Sequence, residues 1–581
     1  MKRIDRKTFL ISAGLVGLSG IGLTYGWKND YLAKRTRGRF KKRKSRQPNI
    51  LFILTDQERH PSLLPSGLKL THRERLYEKA TRFSGMQNVS GLCSMARGNI
   101  YTGLHYQYNG VYENVPIPFA HGLYSHVPTI GTMFQDLGYE TAYFGKWHLT
   151  HLPWDRPMGK EKMSSLFRDY GFEITDQDSE IEGVQGGYKK DRKTALAAVE
   201  FLSKRKNADK PWFAAVNFLN PHDIMFFLAS KLQLETYVFN PMIGESISKA
   251  PVHSLYSENL GFPLPLNFGA KGDFDKPKAH QIFKDVMDVT LGRIPLDDIE
   301  GWRNHENYYL NCLRDVDSHI GTVLDVLDDI GFWDNTVVVF SSDHGELSGS
   351  HGLRGKGNTI YRESASVPFA IYHPDIKNGN DTKALASQID IVPTLLGFAG
   401  LSLEERQEQF PDLKGVDLSP AMSPGNRKDI NAAGRDSALY QWDSRVYGSV
   451  ETAEQIAKAF QENGYRRVWK LLNLPIIKGM KERHSMRGIF DGRYKFARYF
   501  RPLDHSLPKT EKDLLENHDL ELYDTKNDPL ERMNIANLPK NRALVWEMAQ
   551  KLNALFKKEV GEDDARMLPG PGLLWTRRSL N

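Results

Sequence analysis

The chain has 581 residues, 40% of them hydrophobic and 26% charged, which suits a globular enzyme built as one large domain plus a smaller one. Its net charge of +7 belongs to one end: residues 1–46 hold 14 Lys or Arg against two Asp, whereas the other 64 basic residues face 69 acidic ones. A mildly acidic body argues against nucleic acid as a partner, and two cysteines, Cys93 and Cys312, exclude a disulfide framework.

Residues 8–27 form an uncharged run behind Lys2, Arg3, Arg6 and Lys7, long enough to cross a bilayer as a helix but rich in Gly and Ser. Arg6-Lys7-Thr8-Phe9-Leu10 is similar to a twin-arginine export signal with Lys7 in place of the second arginine, and no clear small-x-small cleavage site follows. Residues 1–46 are therefore expected to be an export signal or membrane anchor plus a basic linker. The protein is expected to be exported, periplasmic or otherwise extracytoplasmic. The basic run from Lys34 to Arg46 is either a solvated linker or a contact for anionic lipid or an acidic polymer.

From Pro48 the folded body begins, expected as a catalytic α/β domain over 47–430 and a smaller subdomain over 431–581. Asn49 to Thr55 is a continuous apolar run of the kind central parallel strands show, and it ends in Asp56-Gln57. Val89 to Gly103 reads as a turn, loosened by Gly91, that delivers Cys93 to the start of a helix with Arg97 one turn away on the same face. A helix over 129–137 follows, then a strand over 140–145 running into Lys146-Trp147-His148. Lys146 and His148 point alike if that stretch stays extended.

Asp191 to Lys204 reads as an amphipathic helix with Ala195, Leu196, Val199 and Leu202 inward, and a strand over 212–218 leads to Pro221 and His222. Residues 224–299 show no core period and are expected to be an insertion that shapes the substrate site. Asn304 to Gly331 is a strong helix, with Tyr309, Leu313, Val316, Ile320, Val323 and Leu327 in one stripe and Cys312 beside it as an inert buried thiol.

Thr336 to Ser342 is a buried-strand pattern followed by Asp343-His344-Gly345-Glu346, then by His351 and Lys356. Ala365 to His373 reads as a further strand and 388–396 as a helix. Beyond residue 430 come a hairpin on Asp491-Gly492, a strand near 521–524 and a terminal helix over 544–560.

Each chemical residue taken alone has an ordinary role: an Asp after a strand is a common turn residue, a buried Cys a small hydrophobe. Together they put acids, histidines and lysines beyond strand ends, where open parallel sheets carry their sites. Asp56-Gln57 and Asp343-His344 could converge on a hard divalent cation if their strands are neighbours.

In this order the motifs resemble the sulfatase family, the formylglycine-dependent type of the alkaline-phosphatase superfamily. That resemblance covers roughly Pro48 to Gly400 and the C-terminal segment. It implies an α/β fold with a large, mostly parallel sheet sandwiched by helices and a C-terminal α+β subdomain containing an antiparallel sheet. It also implies sulfate ester hydrolysis, with Cys93 converted to formylglycine by a formylglycine-generating enzyme. Met95 stands where the family's C-x-P-x-R motif has proline.

The roles it implies are these. Cys93 as formylglycine is the nucleophile, with Arg97 and Lys146 stabilising its alkoxide. His222 and Lys356 bind sulfate and protonate the leaving oxygen, and His148 removes a proton from the hydrate. Asp56, Gln57, Asp343 and His344 hold the metal, Ca²⁺ first and Mn²⁺ second. The substrate is a sulfated carbohydrate or aryl sulfate. Two alternatives stay open: a phosphonate or phosphate ester hydrolase on the same scaffold, and a non-catalytic binding protein with Cys93 unconverted.

Overall fold

Strands β1 (Asn49–Asp56), β2 (Thr81–Gln87), β3 (Glu140–Gly145), β4 (Trp212–Pro221), β5 (Thr336–Ser342), β6 (Phe369–Tyr372) and β7 (Asn380–Ser387) build one sheet in the order β3-β4-β1-β5-β6-β2-β7. The structure is a computed structural model that describes residues 47–565, apart from 116, 118–119, 153–157, 177–182, 207, 237–246, 270–274, 377–378, 423–433, 455–480 and 506. The expected signal or anchor at 8–27, the basic run 34–46 and the boundary at 430/431 lie outside the described residues. Among the described residues no helix is long and apolar enough to cross a membrane.

Strands β1, β4 and β5 are buried along their whole length, as expected for strands covered on both faces. Pairing is parallel throughout except at β6, which runs antiparallel to both β5 and β2. The sequence pattern missed β2, where charged and small residues interrupt the apolar ones, and β7.

Alternate side chains feed two apolar layers. Ile50, Phe52 and Leu54 of β1 join Val337 and Val339 of β5 on one face, packed against Ile100, Tyr101, Ile130 and Ile391. Leu51, Ile53, Val338 and Phe340 face the other way, onto Ala195, Phe201, Val316, Ile320 and Leu324.

The helices that matter for the site are α1 (Cys93–Thr102), α2 (Gly186–Ser203), α3 (Lys278–Leu291), α4 (Ile299–Ile330) and α5 (Arg542–Glu559). Helix α4 begins five residues before its expected start and closes on Gly331, whose φ of 71° is the left-handed cap glycine favours. In α2 the buried positions are Ala195, Ala198, Phe201 and Leu202, while Leu196, expected inward, is 49% exposed. Helix α3 corrects the reading of 224–299 as patternless: Phe283, Val286, Met287 and Leu291 pack inward at helical spacing. Cys312 is buried on α4, as expected.

The second sheet is antiparallel: β8 (Ala438–Trp442), β9 (Ser485–Phe490), β10 (Tyr494–Phe500) and β11 (Asp519–Asp524) lie in the order β11-β10-β9-β8. Helix α5 covers it, placing Val545, Met548, Leu552 and Phe556 on Leu439, Ile489, Phe496 and Leu522.

Candidate active site

Register decides what meets at the carboxyl edge of the large sheet. Parallel pairing sets Leu54 beside Ser341 and Thr55 beside Ser342, so Asp56 and Asp343 leave neighbouring strands side by side. The Gln57 backbone N–H donates to Asp343 Oδ1 at 3.1 Å, and Gln57 itself turns through a φ of 72°. From β3, Gly145 is the one residue type that fits: its φ is 89°, and a Cβ there would lie 1.8 Å from the Asn217 carbonyl oxygen. That close approach carries Lys146 over the edge.

Cys93 arrives from the far side of the sheet, on the loop after β2, as the first residue of α1. Gly91 has no positive φ. Its need is space, because a Cβ would meet the Tyr440 hydroxyl at 2.7 Å and Gly357 N at 3.1 Å. Ser94 anchors the start of the helix: its N–H donates to Asn114 Oδ1 at 3.1 Å and its hydroxyl to the His148 carbonyl oxygen at 2.6 Å.

One ligand atom from each of Asp56, Cys93, Asp343 and His344 lies within 4.8 Å of every other, and all four residues are buried. His344 Nδ1–H donates to the Gly345 carbonyl oxygen at 3.1 Å, which leaves Nε2 as the acceptor facing Cys93 Sγ at 3.0 Å. From Nε2 the distance is 3.7 Å to Asp56 Oδ1 and 3.6 Å to Asp343 Oδ1. Cys93 Sγ is 3.8 Å from Asp56 Oδ1.

The outer carboxylate oxygens are held by cations. Lys146 Nζ is 2.7 Å from Asp56 Oδ2, and Arg97 donates through Nε to Asp343 Oδ2 at 3.0 Å and through Nη2 to Asp56 Oδ2 at 3.4 Å. Arg97 Nη1 also donates to the Lys146 carbonyl oxygen at 2.8 Å and to Asn217 Oδ1 at 3.3 Å. Arg97 does lie one turn from Cys93, but its guanidinium serves the two carboxylates.

Burial raises the cost of charge at Asp56, but the cations around it, Lys146 first and then Lys356 and Arg97, outweigh it and hold its carboxyl well below the usual range. Burial and the neighbouring Asp56 push Asp343 upward. Burial lowers His344, keeping the imidazole neutral and its Nε2 lone pair available. Two adjacent carboxylates and a neutral imidazole fit a divalent cation, which would relieve their mutual repulsion. The nitrogen donor suits manganese or a softer ion better than calcium.

The remaining expected residues differ in placement. Lys356 donates to Gln57 Oε1, and Gln57 Nε2 donates to Glu346, so both ends of the Gln57 amide are engaged. His222, directly beyond β4, feels burial first and then Lys356 and Lys146, which keep its imidazole well below its ordinary pKa. His148 has a φ of 58°, so the extended stretch that would aim it alongside Lys146 is not present.

Three contributors were missed in the sequence. Glu346 accepts from the Ser348 and Gly355 N–H groups, both at 2.7 Å, while orienting Gln57; its place three residues after Asp343 was the available signal. Asn217 accepts from Arg97 and from the Tyr101 hydroxyl at 2.7 Å, and a polar residue inside an apolar strand could have revealed it. Asp191 accepts the Leu219 and Asn220 N–H groups at 2.7 and 2.8 Å, tying the end of β4 to α2 just before His222; an acid on the inward face of α2 was its signal.

A family model described as Sulfatase matches residues 48–401. The delta 4,5-hexuronate-2-O-sulfatase of Bacteroides thetaiotaomicron is 25% identical over 541 residues, covering 90% of this chain and 91% of that protein. The structure of a 2-O GAG sulfatase aligns with a TM-score of 0.62 at 21% identity, over 90% of this chain and 94% of that one. The phosphonate monoester hydrolase of Agrobacterium radiobacter aligns at 0.58 and 21% identity, over 88% and 96%. At these identities the two structural likenesses are likenesses of fold.

Proposed function

The chain belongs to the sulfatase family, and from that premise we propose that it hydrolyses sulfate esters with Cys93 as its nucleophilic position. The observation that carries this reading is the meeting of Cys93 Sγ with Asp56, Asp343 and His344 at one buried point. A formylglycine made from Cys93 by a formylglycine-generating enzyme supplies covalent catalysis, dividing one difficult displacement into two easier ones. Asp56, Asp343 and His344 would hold a divalent cation, calcium or manganese, with Gln57 as a fourth ligand once its amide oxygen leaves Lys356. The cation neutralises charge on the sulfuryl oxygens.

The chain's own groups do the rest. Arg97 and Lys146 aim both carboxylates, favour the ionised form of Asp56, and stabilise negative charge at position 93. His222 and Lys356 bind the sulfate, and one of them gives a proton to the departing oxygen. His148 accepts the proton released at position 93. An incoming anionic ester offsets the two lysines that hold His222 neutral, so its proton affinity rises on binding.

The substrate is read as a sulfated carbohydrate or an aryl sulfate, in keeping with the relative named for a 2-O-sulfated uronate. Residues 224–299 shape its site. Residues 8–27 serve export or attachment to a membrane.

The test is the mass of the Phe83–Arg97 tryptic peptide from the native host, paired with rates on an aryl sulfate and the matching aryl phosphonate. Loss of the thiol, an aldehyde in its place and faster turnover of the sulfate are expected. Faster turnover of the phosphonate would assign the phosphonate or phosphate ester reading. An alkylatable thiol without hydrolysis would leave the non-catalytic one.

A further inference from the structure

The four groups that converge include a sulfur and an imidazole nitrogen, and that set suits a different ion from the one an oxygen-lined site takes. Hard cations such as calcium ask for about six to eight oxygens. Here the facing donors are a thiol, an imidazole and two carboxylates from three separate segments, the end of β1, the stretch after β5 and the start of α1. Lys146 and Arg97 occupy the Oδ2 atoms of Asp56 and Asp343, and each Oδ1 lies within 3.7 Å of His344 Nε2, with Asp343 Oδ1 also accepting the Gln57 and His344 N–H groups. The hydrogen bond from His344 Nδ1 to the Gly345 oxygen fixes the ring so that Nε2 points at the same place. The Gln57 amide is engaged at both ends, by Lys356 and Glu346.

A four-coordinate ion with bonds of about 2.0–2.3 Å keeps its ligand atoms about 3.3–3.8 Å apart. The separations of 3.6, 3.7 and 3.8 Å among these donors fall in that range. The contact of 3.0 Å between Cys93 Sγ and His344 Nε2 is shorter, and it opens when an ion replaces the thiol proton.

We propose that the chain with Cys93 unconverted captures a borderline-soft divalent cation such as zinc on Cys93, His344, Asp56 and Asp343. Conversion of Cys93 then changes not only the nucleophile but also the metal the site prefers. On binding, the thiol proton leaves to solvent and a metal–sulfur bond forms, with no change in oxidation state. Three anionic ligands around a divalent ion leave one net negative charge, which Lys146, Arg97 and Lys356 face. This inference rests on the reading that Cys93 looks onto the cation position, and it does not require sulfatase activity.

The experiment uses the full chain made in a host that leaves Cys93 as a thiol, checked by peptide mass, stripped with chelator and titrated with cobalt(II). One cobalt per chain is expected, with a strong thiolate-to-cobalt charge-transfer absorption and the visible bands of a four-coordinate ion. Zinc should displace the cobalt, and millimolar calcium should not. Cys93→Ser should lose the charge-transfer band, while Cys312→Ala keeps it. A spectrum of six oxygen or nitrogen ligands, absence of binding, or a band that survives in Cys93→Ser would overturn the proposal. If Cys93→Ser does not fold, the sulfur count from X-ray absorption of the zinc-loaded parent decides, one sulfur supporting and none refuting. The sulfatase reading is tested separately, on converted protein by peptide mass and hydrolysis, so each can fail without the other.

Discussion

Of the clusters of charge sealed inside this molecule, two are built in opposite ways. In the C-terminal part, Asp443 accepts from His505 Nε2 at 2.9 Å, lies 2.8 Å from Arg487 and takes the Tyr106 hydroxyl, while Asp563 holds Arg487 through two bonds of 3.0 and 2.8 Å. Burial opposes ionisation of Asp443, but Arg487 and His505 prevail and its carboxyl stays well below its usual range. Every strong acceptor there points at a donor. At the carboxyl edge of the large sheet, by contrast, only the outer carboxylate oxygens are matched to cations. The inner ones lie beside an imidazole nitrogen and a thiol, with only backbone N–H groups on Asp343 Oδ1, and Asp343 is pushed upward. Burial and charge therefore do not mark a site by themselves; acceptors that converge on one another do.

The sharpest way to break that contrast is Cys93→Ala, for which steady-state assays against the converted parent enzyme should show a loss on the order of 10⁴-fold or more in kcat. Its unfolding midpoint should hold, since little else leans on the sulfur. His222→Gln and Lys356→Met should each lower kcat by about 10²–10⁴-fold, with the greater loss on substrates whose leaving alcohol is a poor one. A loss equal for all leaving groups would remove the proton-donor role.

Asp443→Ala tests the other cluster. It strands His505 and leaves Arg487 to Asp563 alone, so denaturant melts should fall by about 3 kcal/mol while kcat per folded molecule is kept. A drop in kcat at unchanged stability would erase the distinction between the two clusters. The smallest effect is expected from Glu346→Gln, which loosens Gln57 and should weaken cation retention and activity by about 10–100-fold, with added metal restoring part of the rate.

Much of this was written plainly in the chain. The runs before Asp56-Gln57 and Asp343-His344 are so uniformly apolar that buried, parallel, adjacent strands were the natural outcome, and adjacency alone joins two acids 287 positions apart. What stayed hidden depended on partners. Helix α3 carries His280, Lys284 and Asp285 among its apolar positions, so its stripe stands out only once Tyr447 and the loop near Gly357 are seen against Phe283. Leu196 misled because α2 starts earlier and buries Ala198 and Phe201 on a rotated face. His148 sits in a left-handed turn that no local pattern announced.

One contact sets a limit on how the protein can be dissected. The matched family region stops at residue 401, yet the loop bearing Cys93 is propped from beyond it: the Gln441 N–H donates to the Val89 carbonyl oxygen at 2.8 Å, and Tyr440 lies against Gly91. A truncation after 401 would take away the backstop of the nucleophile while sparing both acid-bearing strands. Such a fragment is expected to keep its sheet yet lose its reactive centre, which makes the small lobe a structural partner in the chemistry rather than an appendage to it.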